Sequence, residues 1–307
     1  MKTRIGIVGI GGVGGYFGGL LAKEFYKSDV VEVVFIARGE MQKAIENNGL
    51  KIITDTGDTV VFPHLVSNDP HTIGKLDFII CCTKTYDLEE SLLSIKNCIT
   101  KNTVFLPLYN GVDAPERINT LFPENEVLQG CAYIVSMIAS TGIIKKIGAY
   151  EKLFFGSTMA PIATLNKIHS IFKTAGIESY LVENIEETVW EKFVFISALA
   201  SATCYLDQNI GEILSKKENR LFYFDLLNEI TMLAAVKGLN LPQDIVFQSI
   251  QKLEKSPHDA TSSMHRDLLA GRKIEIESLT AFVVNEGEKY ELEMPTYLKV
   301  LDKLMLL

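Results

Sequence analysis

The sequence predicts an α/β chain, with an N-terminal doubly wound sheet followed by an all-helical C-terminal domain. Three observations carry that prediction. A glycine cluster, GIGGVG, stands between a short apolar run and a helical stretch near the start of the chain. The first half then alternates strand-like and helix-like segments, some of them continuous apolar runs that suit a parallel sheet covered on both faces. Past Glu183 the strand patterns stop and only helical segments remain.

Arg4-Ile5-Gly6-Ile7-Val8 reads as the first strand, and Tyr16 to Phe25 reads as the first helix, so the glycines fall in a strand–turn–helix context of the Rossmann-like kind. In such a turn Gly9 permits the bend, Gly11 lets the backbone approach a pyrophosphate, and Gly14 lets the helix lie close to the sheet. The helix N-terminal amides receive the anion, which makes Gly9, Ile10, Gly11, Gly12, Val13 and Gly14 the cofactor-binding candidates. Such turns also arise for packing alone, and the next strand bears on the choice. Val30 to Ile36 is β-branched and apolar and runs into Ala37-Arg38-Gly39-Glu40. An NAD-binding unit would usually end this strand in Asp or Glu, to hold the ribose hydroxyls. The planar, permanently charged guanidinium of Arg38 suits a 2′-phosphate, so the cofactor expected is NADP(H); the other reading is a solvated surface arginine.

Glu40 to Asn48 reads as a short helix, and Gly49 to Phe62 as a hairpin turning at Asp55-Thr56-Gly57-Asp58. LDFIICC, residues 76–82, and Thr103 to Leu106 are buried strands. Residues 130–157, with turns expected at Thr141-Gly142 and Gly148-Ala149, would finish the sheet. Helices follow from Glu183 into ENIEETVWEKFVFISALASATCYLD, then over residues 218–238, 242–254 and 274–288. The domains expected are therefore 1–182, binding NADP(H), and 183–307, helical and catalytic, with the active site in the cleft between them.

With 307 residues, 47% of them hydrophobic and 22% charged, the chain has the balance of a soluble two-domain protein. A net charge of −8 argues against nucleic acid or an anionic membrane as partner. The five cysteines form no CxxC pair and the five histidines no HExxH spacing, so neither a metal site nor a disulfide framework is expected. The N-terminus runs directly into the glycine turn with no apolar leader, and a cytoplasmic location is the default expectation.

Chemistry is expected at the carboxyl ends of the strands. Lys84, directly after the IICC strand, is placed to face cofactor phosphate. Asn110, after the next strand, can donate and accept at the nicotinamide end; Asn110-Gly111 is also a common turn dipeptide. Lys192 interrupts an apolar helical run, where burial would lower its pKa toward the range of a proton donor to a ketone oxygen. A snorkelling or ion-paired surface lysine is the alternative.

Taken in order, GIGGVG, the arginine ending the second strand, CTKTYD around Lys84, LYNGVD around Asn110, WEKF around Lys192 and TSSMHRDLLAGRKIEIE at residues 261–277 resemble the ketopantoate reductase family, the NADPH-dependent 2-dehydropantoate 2-reductases. The resemblance runs over nearly the whole chain. It implies hydride transfer from NADPH to a 2-oxo acid, with pantoate, a precursor of pantothenate and coenzyme A, as product. It also assigns roles: Gly9 to Gly14 on the pyrophosphate, Arg38 and Lys84 as the cations at the 2′-phosphate end, Asn110 shared by cofactor and substrate, Lys192 as catalytic lysine, Ser263 on the substrate, and Glu275 beside the ribose and the lysine. Ser263 also reads as an N-cap, and Glu275 as a solvated helix carboxylate. The chain departs from the family at Ile196 and Ala200, one and two turns after Lys192, where well-known members carry asparagines. Asn209 is a replacement donor at a one-residue slip. That apolar wall leaves open a reductase of a more apolar 2-oxo acid; a non-catalytic NADP(H) sensor is a third reading, against which the presence of both Lys192 and Glu275 argues. An apolar patch on the helical half reads either as core or as the interface of a homodimer.

Overall fold

The computed structural model describes residues 2–306, which group into two compact units: residues 2–109 with Ala114–Ile185, and Asn110–Asp113 with residues 186–306. In the first unit the elements follow one another as β1 (Thr3–Val8), α1 (Gly12–Glu24), β2 (Val31–Ile36), α2 (Gly39–Asn48), β3 (Leu50–Thr54), β4 (Gly57–Val61), β5 (Leu65–Ser67), α3 (Pro70–Ile73), β6 (Phe78–Cys81), α4 (Leu88–Ser94), β7 (Val104–Pro107), α5 (Ala114–Leu121), β8 (Glu126–Val127), β9 (Gln129–Ser140), β10 (Ile143–Gly156), α6 (Ile162–Thr174) and β11 (Ser179–Leu181). Six strands pair in the order β5-β2-β1-β6-β7-β8, all parallel. The strand order reverses between β1 and β6, and an open α/β sheet binds its ligand at such a crevice.

The hairpin read at residues 49–62 is present as β3 and β4, and the turn at Thr141-Gly142 joins β9 to β10. Two expectations are corrected. These strands do not finish the parallel sheet: they form a second, five-stranded sheet, ordered β11-β10-β3-β4 with β9 on β10. Gly148-Ala149 does not reverse the chain either. Gly148 takes φ +73°, and the ladder shifts register between Ile147 and Glu151, so the left-handed glycine serves a bulge inside β10. The two sheets enclose α1, and its glycines are what let it be enclosed. A Cβ on Gly18 would press on Ile7 and Phe35, side chains of β1 and β2, while one on Gly19 would stand 2.3 Å from Ile52 of β3. Phe17, Leu21, Ile144, Leu153 and Phe155 fill the core around this helix. The other face of the parallel sheet packs Ile79, Cys81 and Phe105 against Leu88, Leu92 and Ile118.

In the second unit come α7 (Ile185–Leu206), α8 (Ile210–Ser215), α9 (Lys217–Val236), α10 (Ile245–Glu254), α11 (Ser263–Leu269), α12 (Phe282–Lys289) and α13 (Pro295–Leu304). Residues 277–281, just ahead of α12, form a π-helical turn in which the Phe282 N–H reaches back to the Glu277 carbonyl. By length and composition α7 could cross a membrane, but 61% of its most apolar window is buried inside the protein. Trp190, Phe193, Val194 and Ala198 make it the central core helix of this unit, against Leu226, Ile230 and Leu279.

Candidate functional site

In the first unit the glycine turn leaves β1 beside the end of β6. Gly9 has φ +93°, a region that L side chains avoid, and a Cβ there would stand 2.6 Å from the Thr83 amide nitrogen. A Cβ on Gly14 would lie 2.1 Å from the Gly9 carbonyl oxygen, so the helix start is pressed directly onto the turn. Gly11 differs from both. Nothing lies within 4 Å of where its Cβ would be, and it caps α1 with no side chain on the first helical amides. That combination, open space above backbone with uncapped N–H groups below, is what a dinucleotide pyrophosphate needs, so the residues present fit the cofactor. Ile10 is buried and anchors the turn in the core, with Val13 packed against it.

Arg38 sits just beyond β2 as the residue before α2. It is exposed and pairs with the equally exposed Glu90 at 3.3 Å. Lys84 is half-buried and opens a single 3₁₀ turn, Thr85–Asp87, after β6. A staple that the sequence did not reveal holds this loop: Arg117 of α5 donates to the Thr85 carbonyl at 2.7 Å and to both carboxylate oxygens of Glu89, at 2.7 and 2.8 Å. These hydrogen bonds hold the Glu89 carboxyl below its ordinary range. Thr83 and Tyr109 share a further hydrogen bond, 2.9 Å between hydroxyls, at the same end of the sheet. No local pattern marks the staple, because its partners lie on different elements.

In the second unit Lys192 is 9% exposed on α7, which rules out the surface-lysine reading. Its Nζ donates to Asn110 Oδ1 at 3.1 Å. Asn110-Gly111 is no left-handed turn, because neither residue has a positive φ. Glycine is required at 111 by crowding: a Cβ would stand 2.6 Å from Asp113 Oδ1 and 2.8 Å from Ser278 Cβ. Glu275 is 4% exposed, directly before the helix that begins at Ile276, whereas Glu277 is exposed. Glu275 is therefore not a solvated carboxylate.

Ser263 is the first residue of α11 and half-buried. The capping role belongs to its neighbour Ser262, whose Oγ accepts from the His265 amide at 3.0 Å and bonds Thr203 of α7 at 2.8 Å. Asn209 caps α8: its Oδ1 accepts from the Glu212 amide at 2.9 Å while Glu212 accepts from the Asn209 amide at 2.8 Å. This reciprocal cap engages Oδ1 and fixes the Asn209 side chain at the start of α8, while the Nδ2 group is the one a substrate oxygen would need. Ile196 and Ala200 follow Lys192 along α7, Ala200 fully buried and Ile196 partly so. The polar side chains of α7 point elsewhere: Ser197 donates to the Leu279 carbonyl at 2.6 Å, and Ser201 bonds Thr280 at 3.0 Å.

Two family models match the chain, Ketopantoate reductase PanE/ApbA over residues 5–159 and Ketopantoate reductase PanE/ApbA C terminal over residues 184–307. Among relatives, the uncharacterized oxidoreductase YkpB of Bacillus subtilis (strain 168) is 26% identical over 290 residues, 94% of this chain and 93% of the relative. Among solved structures, the 2-dehydropantoate 2-reductase of Porphyromonas gingivalis W83 superposes with a TM-score of 0.85 at 32% identity, covering 99% of this chain and 100% of that one. A D-mandelate dehydrogenase solved with NADH and anilino(oxo)acetate shares the fold, with a TM-score of 0.85 at 23% identity over 97% of this chain and 96% of that one.

Proposed function

Because the chain belongs to the ketopantoate reductase family, and so is an oxidoreductase acting on 2-oxo acids with a nicotinamide dinucleotide, we propose that it reduces 2-dehydropantoate to pantoate with NADPH, a step toward pantothenate and coenzyme A. The observation that carries the reading is the buried Lys192 amine aimed at Asn110 Oδ1. A buried ammonium is costly unless it is hydrogen-bonded, as Lys192 is to Asn110, and a carbonyl oxygen that gains negative charge is a further acceptor it would serve. Gly9 to Gly14 would hold the pyrophosphate, with Arg38 and Lys84 at the 2′-phosphate end. The bound dinucleotide supplies the hydride that adds to the carbonyl carbon. Lys192, protonated, donates a hydrogen bond to the carbonyl oxygen and then gives it a proton, so that a 2-oxo acid becomes a 2-hydroxy acid. Asn110 fixes the direction of the Nζ–H bonds, Glu275 orients the lysine and the ribose, and Ser263 holds the substrate.

A second reading rests on Ile196 and Ala200. They give α7 an apolar stripe beside Lys192, which favours a 2-oxo acid with an apolar side chain. The D-mandelate dehydrogenase of the same fold was solved with NADH and anilino(oxo)acetate, a compound that carries an aryl group. Purified protein, assayed for NADPH and NADH oxidation against a panel of 2-oxo acids, decides among these. Fastest turnover of 2-dehydropantoate with NADPH is expected; faster turnover of an aryl or branched-chain 2-oxo acid favours the second reading. Tight NADPH binding without turnover of any of them marks a sensor. The proposal includes a cytoplasmic location and a homodimer, the latter to be checked by sedimentation equilibrium.

A further inference from the structure

Within the helical unit the segment Asn110–Asp113 is bound at both ends. At one end Asn110 Oδ1 accepts from Lys192 Nζ at 3.1 Å, and at the other Asp113 Oδ2 accepts from Ser278 Oγ at 2.9 Å. Between them Gly111 lies so close to Ser278 that a side chain there would overlap it. Ser278 belongs to the π-helical turn 277–281, three residues beyond Glu275. That turn is itself stitched to α7: Ser197 donates to the Leu279 carbonyl and also bonds the Tyr297 hydroxyl at 2.8 Å, and Ser201 bonds Thr280. Ser197, Ser201, Ser278 and Thr280 are all fully buried. A π-turn is uncommon and survives only where its surroundings hold it. Here it is held by α7, the helix that carries Lys192.

We propose that Ser278 and Asp113 are positioning residues for the proton-donating lysine: their hydrogen bond fixes the Asn110–Asp113 segment on the π-turn and thereby sets Asn110 Oδ1 at bonding distance from Lys192 Nζ. Neither residue touches the reacting atoms. The chain of contacts is closed, from Lys192 to Asn110, along three peptide units to Asp113, to Ser278, and back through the turn to Ser197 on α7. The links through Ser197, Ser201 and Thr280 are fully buried and the two at the ends of the segment partly so, so displacement of one is passed largely to the next. The inference rests on Lys192 acting as the acid in 2-oxo acid reduction, while its geometric part stands apart from that activity.

Ser278→Ala removes the donor, Asp113→Ala removes the acceptor, and Asp113→Asn keeps an acceptor oxygen without the charge. Crystal structures of the three variants read the Asn110–Lys192 separation directly, and kinetics with the best 2-oxo acid read its consequence. The expected result is a separation beyond hydrogen-bonding distance in Ser278→Ala and Asp113→Ala, with kcat lowered by about 10- to 100-fold and the KM of the 2-oxo acid changed much less. Asp113→Asn should stay within about threefold of the unmodified enzyme, and the double alanine variant should be no slower than either single one, because both break one link. An unchanged separation in Ser278→Ala, or effects that simply multiply in the double variant, overturns the proposal. An unmodified chain that reduces no 2-oxo acid overturns the functional reading instead, and the separation then decides the geometric claim alone.

Discussion

A methyl group added at residue 11 and one added at residue 14 would meet opposite fates. Gly14→Ala drives a Cβ to within 2.1 Å of a backbone oxygen that cannot step aside, so the turn must open. Overpacking of that kind costs about 1–3 kcal/mol or more, and thermal melting of the protein without ligand should register it. Gly11→Ala meets no atom within 4 Å and should cost the unliganded protein less than about 1 kcal/mol, while weakening NADPH binding in a titration. Equal effects of the two on the melting temperature would count against the cradle. Arg38 offers a second test. Its exposed pairing with Glu90 is weak, so the guanidinium can exchange that carboxylate for a phosphate. Arg38→Ala should weaken NADPH by about tenfold or more and NADH hardly at all, as measured by fluorescence titration. Lys192→Ala should lower kcat/KM by about 10²- to 10⁴-fold with NADPH affinity nearly intact. The steric demands at Gly9 and Gly14 could be read from the sequence because each follows from backbone geometry at a fixed offset. The role of Asn110-Gly111 could not, since a turn and a crowded contact demand the same dipeptide.

Elements whose signal is internal were legible; those defined by their partners were not. LDFIICC declared a buried strand through its unbroken apolar run, and α7 declared itself by length. The second sheet escaped because β3, β4, β9 and β10 carry the same β-branched pattern whichever sheet they join, and pairing is decided by residues far apart in the chain. The π-turn escaped for the same reason, as buried serines on α7 contribute to holding it. The Arg117–Glu89 staple between α5 and α4 belongs here too, and it makes a pH prediction. Glu89 titrates below its ordinary value of 4.5 because Arg117 bonds its ionised form. The stabilisation is therefore complete above about pH 4.5 and is lost as the pH falls through the depressed native value. Glu89→Gln lacks it at every pH. The melting temperatures of parent and variant should differ at pH 6 and converge toward pH 3; a gap that stays constant would show that the pair contributes nothing through its charge.

Across the whole molecule, the parallel sheet and the second sheet share one body of core around α1, and the helical unit has its own. Trp190, the chain's one tryptophan, lies in the helical core, so its fluorescence reports that unit, whereas circular dichroism sees both. Two separate cores predict that the probes melt at different temperatures, and coincident curves would show one cooperative body. The division between units does not follow a single cut in the sequence. Asn110–Asp113 groups with the helical unit yet is encoded between β7 and α5. For anyone recombining relatives of this enzyme, the surroundings of Lys192 are thus split between two stretches of the gene. A chimera joined only near residue 184 would bring a foreign α7 together with a native tetrapeptide, and the lysine would be set by a mismatched pair of ancestors. Transferring those four codons along with the C-terminal half is the smallest exchange that keeps the unit whole.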